Sequence, residues 1–265
     1  WDRLLVETFL GARLFRLRPP EADVDPAEST AAAGEPVLMP FVDFLNHDFR
    51  ARAYGVSTDG DGVRRLWSHT DRPTADGREC RVLYTLLDPL DSLLFYGFVD
   101  DSAPVMRSVP VELELREGIR ITVNAGASTA FRGTLPAALE DIRLFVPPAQ
   151  ARAGDHLTLP WLLLPGPGSP WALRRVLRAL VYALRPHLTE TARRATVAEA
   201  EEQILRANRA ALDTADDQVG AARARPPADP PAGRTAGLDA LATAVGRVRA
   251  RLDAYEGRLA RSPAG

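Results

Sequence analysis

Val109-Pro110-Val111-Glu112-Leu113-Glu114-Leu115-Arg116-Glu117-Gly118-Ile119-Arg120-Ile121-Thr122-Val123-Asn124 is the stretch that decides the fold class. Val109, Val111, Leu113 and Leu115 alternate with Pro110, Glu112 and Glu114. Beyond Arg116-Glu117-Gly118 the alternation resumes, with Ile119, Ile121 and Val123 against Arg120, Thr122 and Asn124. Successive side chains of a strand point to opposite faces. A period of two on both sides of a glycine-containing turn therefore predicts a β-hairpin with one buried face.

Downstream the period changes. Ser169-Pro170 has the form of a helix start, and Leu173, Val176, Leu177, Leu180, Val181 and Leu184 follow at the three-and-four spacing of one helix face. Thr196 and Glu199 have capping-box spacing ahead of Ala200, Ile204, Ala207 and Ala211. The polar, proline-rich stretch from Asp213 to Arg234 reads as a loop. Leu238, Leu241, Val245, Val248, Leu252, Tyr255 and Leu259 then form a last amphipathic helix, and three such helices in succession should pack as a bundle.

Upstream, Trp1 to Arg18 reads as a helix ended by Pro19-Pro20, and Glu21 to Glu35 as an acidic, alanine-rich loop. A compact apolar run, Val37 to Leu45, closes in Asn46-His47. Arg81 to Thr85 reads as a short strand, and Asp91 to Val99 is again densely apolar. The chain is expected to be α+β, with β structure first and helices afterwards.

Composition narrows the function classes. The 265 residues are 46% hydrophobic and 26% charged, an ordinary globular balance. No apolar run approaches the ~18 residues of a membrane span. With 33 basic and 35 acidic residues the net charge is −2, which gives no general reason to expect nucleic acid as a partner. Every one of the basic residues is Arg; there is no Lys. The single cysteine, Cys80, excludes an internal disulfide framework and a cysteine-based zinc site. His69, His156 and His187 read as surface residues without ligand-spaced partners. Asp43, His47 and Asp48 lack the second cluster that a metal site needs, so no metal is expected.

Two segments carry candidate chemistry. Asn46-His47 puts two hydrogen-bonding side chains at the end of an apolar run, which suits either a capped turn or a polar clamp for a ligand. Tyr96, in Phe95-Tyr96-Gly97-Phe98-Val99, is a phenol among apolar residues, and a buried phenol needs a hydrogen-bond partner, structural or catalytic.

Together, Val42-Asp43-Phe44-Leu45-Asn46-His47 and Leu93-Leu94-Phe95-Tyr96-Gly97-Phe98-Val99 resemble the C-terminal half of a SET domain, specifically in the Rubisco large-subunit lysine methyltransferase family. Ala12-Arg13-Leu14-Phe15 resembles the segment that precedes that Asn-His, and the helices resemble the family's substrate-binding domain. The resemblance implies a β-rich partial SET domain over residues 1–108 and an all-α helical substrate-binding domain over 109–265. It also implies transfer of a methyl group from S-adenosylmethionine to a protein lysine. Relatives that methylate histidine, and a catalytically silent protein-binding module, are the alternatives. Asn46, His47 and Arg13 would bind the cofactor and Tyr96 would be catalytic. Phe15 and Tyr54 would line the lysine channel, and Asp43 matches the acidic residue before Asn-His, on the substrate side. An intracellular monomer acting on a protein substrate, with neither nucleic acid nor membrane, is expected. The chain starts at Trp1 inside an apparent helix, so the expectation is a fragment whose N-terminal SET segment, with its Gly-x-Gly loop, lies outside these residues. Two further departures are Asp88-Pro89-Leu90, where the family has Ser-Asn, and Val109, which is aromatic in some relatives.

Overall fold

The structure is a computed structural model. It describes residues 14–17, 35–38, 46–49, 51, 55–67, 81–84, 86–126, 134–148, 151–166, 171–225 and 233–261. The chain divides into two compact units, Trp1–Thr85 and Leu86–Gly265. The sequence reading sets its family boundary later, between 108 and 109.

In the first unit, β1 (Leu14–Leu17) pairs antiparallel with β2 (Glu35–Leu38), Phe15 facing Val37 in the ladder. The expected helix from Trp1 to Arg18 is corrected here over Leu14–Leu17. Leu-Phe-Arg-Leu suits either period, and a ladder with a distant partner decides it for the strand. The unit also contains β3 (Asn46–His47), β4 (Gly55–Thr58), β5 (Arg64–Trp67) and β6 (Arg81–Val82). β4 and β5 form an antiparallel hairpin, and β3 pairs parallel with β6.

The second unit opens with α1 (Pro89–Tyr96) and β7 (Val105–Arg107). The expected hairpin follows as β8 (Val111–Glu114) and β9 (Arg120–Val123), in antiparallel register with Leu113 opposite Ile121. Leu113, Leu115, Ile119, Ile121 and Val123 are buried, the face that the alternation selects. Glu117 and Gly118 make the reversal at φ 62° and 72°. After a 3-10 segment (Ala137–Phe145), β10 (Ala151–Ala153) leads to β11 (His156–Leu159). β11 joins β9 in parallel, giving a four-stranded order β10-β11-β9-β8. β12 (Leu163–Pro165) pairs with β7. Gly166 donates to the Pro104 carbonyl at 2.7 Å, and a Cβ on Gly166 would collide with that backbone.

The all-α description fits only the last part of this unit: α2 (Ala172–Leu184), α3 (Glu190–Ala224) and α4 (Arg234–Arg261). Leu173, Val176, Leu177, Val181 and Leu184 are buried along α2, as the stripe requires. Each such leucine or valine stabilises the unit by about 1.5–3 kcal/mol relative to exposure. Two local readings are corrected. The cap of α3 is Thr189, whose hydroxyl accepts from Ala192 N–H at 3.2 Å, whereas Thr196 lies inside the helix and donates to the Ala192 carbonyl at 2.9 Å. The expected loop is helix as far as Ala224. Leu212 and Val219 are buried, and Arg249 of α4 pairs with Asp213 and Asp216. The mixed content makes the chain α+β.

Candidate functional site

β3 brings Asn46 and His47 together in the first unit. Asn46 is exposed and His47 partly buried, so the pair sits nearer the surface than the apolar run before it suggests. His47 Nδ1 accepts from the Tyr84 N–H at 3.1 Å, and the two rings lie 5.3 Å apart. Nδ1 as acceptor fixes the neutral ring as the Nε2–H tautomer. The Asp48 N–H donates to the Val82 carbonyl at 3.1 Å, and the Arg81 side chain pairs with Asp48 at 3.2 Å, so a backbone bond and an ion pair flank the short parallel ladder. Phe15 lies on β1. Arg13, Asp43 and Tyr54 lie outside the described residues, as do His69 and Cys80.

Tyr96 belongs to the second unit, where it is the last residue of α1. Gly97 follows in the left-handed conformation, φ 79°, and its N–H donates to the Leu93 carbonyl. A glycine terminates a helix there without steric cost, which explains the Tyr-Gly pair locally. Tyr96 is partly exposed and its ring is 6.2 Å from that of Phe98; it is not enclosed in a core. The apolar run reads as buried, yet α1 turns Leu94 and Phe95 outward, 58% and 51% exposed, and buries Pro89, Asp91 and Ser92.

Polar groups at the other end of α1 explain that inversion. Asp88 is the cap. Its Oδ1 accepts from the N–H groups of Leu90 and Asp91 at 2.9 and 2.7 Å, and its Oδ2 from Arg107 N–H at 2.9 Å. Asp91 is buried against the Arg107 guanidinium, which also donates to the Ala125 and Gly126 carbonyls. Ser92 donates to the Pro89 carbonyl and accepts from Asp100 N–H. Burial, followed by the Asp88 charge, pushes the Asp91 carboxyl up to about 7 against the pull of Arg107.

Two more polar nodes lie deeper. Glu201, on α3, accepts from Arg174 of α2 at 2.8 Å and from the Tyr255 hydroxyl of α4 at 2.5 Å. Burial, and then Glu201, push the Tyr255 hydroxyl far above its usual range. Asn208 accepts from Val109 N–H and donates to Ser108 Oγ and the Ile204 carbonyl, pinning α3 to the approach to β8. Sequence reading missed all of these. The available signals were Asp88-Pro89, the form of a cap with proline at the first turn, and Glu201 and Asn208 in register with the buried stripe of α3.

His156 Nε2 lies 2.8 Å from Thr122 Oγ1, and His187 is exposed. Among the described residues no group of three His, Cys, Asp or Glu side chains is arranged to hold a metal ion, and no helix is long and apolar enough to cross a membrane. No protein-family model matches the chain, and neither does any curated protein or solved structure.

Proposed function

We propose that the chain is part of a protein-lysine methyltransferase of the SET type, in the Rubisco large-subunit lysine methyltransferase family, using S-adenosylmethionine as methyl donor. The observation that carries this reading is the pair of motifs, Asn46-His47 and Tyr96-Gly97-Phe98, each at the end of an apolar run and followed by a helical C-terminal part. The exposed Asn46 amide on β3 suits a polar cofactor. His47 Nδ1 accepts from the Tyr84 N–H, and we assign Asn46 and His47 to the cofactor on the resemblance alone. Bound S-adenosylmethionine supplies an electrophilic methyl group on a sulfonium. The protein's share is to align a neutral amine in line with that methyl, and aromatic walls favour this by attracting the cation. Tyr96, at the open end of α1, is the hydroxyl we assign to orienting the amine, and a channel of low polarity favours the deprotonated lysine.

The test is calorimetric titration of S-adenosylmethionine into this chain together with whatever residues its gene encodes ahead of Trp1. Binding is expected, and Asn46→Ala should weaken it about tenfold, the worth of one lost hydrogen bond to a polar ligand. In single-turnover transfer to a lysine peptide, Tyr96→Phe should slow the chemical step about a hundred- to a thousandfold, with the urea melt nearly unmoved. A second reading, a silent protein-binding module, draws on Asp88-Pro89-Leu90. These residues stand where the family has Ser-Asn, and Asp88 is fully engaged in capping α1 and holding Arg107. Absence of cofactor binding would select that reading.

A further inference from the structure

We infer that the outward face of α2, at the turn into α3, is a docking surface for an acidic segment of a partner protein, which sets a carboxylate against Arg178 and Arg194 and an apolar side chain on Tyr182. α2 buries Leu173, Val176, Leu177, Val181 and Leu184 on its inner side. The opposite face carries Trp171, the residue before the helix, and then Arg175, Arg178 and Tyr182, at steps of four, three and four. Both aromatic side chains are exposed, Tyr182 by 54%, although rings of this size gain much from burial. Trp, Tyr and Arg are also the side chains most enriched at the energetic centres of protein interfaces.

The charges at the turn do not balance. Three guanidinium groups share one carboxylate, Glu190: Arg178 and Arg194 reach its Oε1 at 2.9 and 3.0 Å, and Arg193 its Oε2 at 3.1 Å. The Arg194 hydrogen bond, and then the three positive charges, hold the Glu190 carboxyl below its usual range over the opposing cost of desolvation. Glu190 is therefore ionised, and three charges against one leave an excess of two among the described residues. Arg193 lies inward. Its guanidinium donates to the Leu188 carbonyl at 3.0 Å and sits 4.9 Å over the Tyr182 ring, which fixes that ring beside the cluster. Arg178 and Arg194 point outward, 55% and 57% exposed. Among the described residues Arg194 donates only its Nε–H, so its two terminal nitrogens keep the fork that a second carboxylate can accept.

The surroundings define the partner's chemistry. On either side along α2 the arginines are already matched, Arg175 by Asp141 at 2.6 Å and Arg185 by Asp155. The excess is confined to the turn, which suits one or two acidic side chains. A nucleic-acid strand carries a phosphate at every nucleotide and would run on over Asp141 and Asp155, in a chain whose net charge is −2. Arg178, Tyr182 and Arg194 are each more than half exposed, so a small free anion is touched on one side only. A peptide adds apolar contact with Tyr182 and, about 16 Å along the helix, with Trp171, a distance that about five extended residues span. This surface does not depend on the methyl-transfer reading.

Fluorescence anisotropy tests it, with the unmodified chain and a labelled peptide of about ten residues that alternates glutamate with leucine. Binding is expected in dilute buffer, and the glutamine counterpart of the peptide should bind at least about tenfold more weakly. Arg178→Ala combined with Arg194→Ala should weaken binding about tenfold or more, and Tyr182→Ala severalfold. Glu190→Gln, which leaves the three arginines unopposed, should tighten it severalfold. Arg206→Ala combined with Arg223→Ala removes the same charge from exposed positions elsewhere on α3 and should leave affinity within about twofold. Equal losses from the two double variants would overturn the surface, since only net charge would then matter. Absence of peptide binding, or tighter binding of a labelled single-stranded oligonucleotide of the same charge, would also overturn it. A urea melt checks that each variant folds; if the first double variant does not, the tightening by Glu190→Gln decides.

Discussion

The outer faces of α3 and α4 pair arginine with carboxylates, and so does the buried seam between α2, α3 and α4, but the two places use the same chemistry differently. Outside, Arg249 reaches Asp213 at 2.7 Å and Asp216 at 2.6 Å, Arg209 reaches Asp253 and Glu256, and Arg223 reaches Asp239. The carboxylates of Asp213, Asp239 and Asp253 are at least half exposed, so water competes for each of these pairs. Inside, Glu201 is 3% exposed and is bound by Arg174 and the Tyr255 hydroxyl, with no water to take over if either is lost. Outer pairs link α3 and α4 at several exposed points, whereas the inner node ties three helices to one carboxylate.

The largest expected effect comes from breaking the inner node. Glu201→Ala should cost about 3–5 kcal/mol, because it strands the buried Tyr255 hydroxyl and an arginine that is only one-third exposed. A urea melt measures it, and a loss below about 1 kcal/mol would erase the contrast between seam and surface. Asp88→Ala ranks second. Loss of a helix cap costs about 0.5–2 kcal/mol, and the Arg107 N–H loses its acceptor as well, so the upper end is expected in the same melt. Arg249→Ala should cost about 0.2–1 kcal/mol in dilute buffer, and the difference should shrink in 1 M salt, where exposed charges are screened. A salt-independent loss would mean that the Arg249 stem packs, rather than pairs, against α3.

Legibility in the sequence followed how local the cause was. The β8–β9 hairpin and the α2 stripe are written in neighbouring residues, and both are found where the periodicity puts them. β1 depends on a partner strand eighteen or more residues away in the chain, which no local period reveals. The second half of α3 is rich in Ala, Asp and Arg and so reads as a loop, whereas buried Val219 and the pairing of Asp213 and Asp216 with Arg249 of α4 hold it as a helix. At α1 the density of apolar residues misleads. Asp88, Asp91 and Ser92 have hydrogen-bonding work to do inside, so Leu94 and Phe95 are the side chains left facing out. Asn46-His47 and Tyr96 stand out in the sequence as polar side chains at the ends of apolar runs, whereas the Asp88–Asp91–Arg107 cluster does not, because Arg107 lies sixteen residues from Asp91.

The length of α3 gives the α3–α4 pair a mechanical character. Its 35 residues span about 52 Å at 1.5 Å each. Gln203 and Asn208 tie its earlier part to Glu114, Ser108 and Val109, whereas from Arg209 onward the ion pairs run to α4. The stretch from Arg209 to Ala224 is then a lever arm of about 24 Å, and a tilt of about 5° at its base moves the tip by about 2 Å. A pair of spin labels, one near Ala224 and one on β10, would register repacking at Asn208 as a change in distance, with neither label on the repacked side chains.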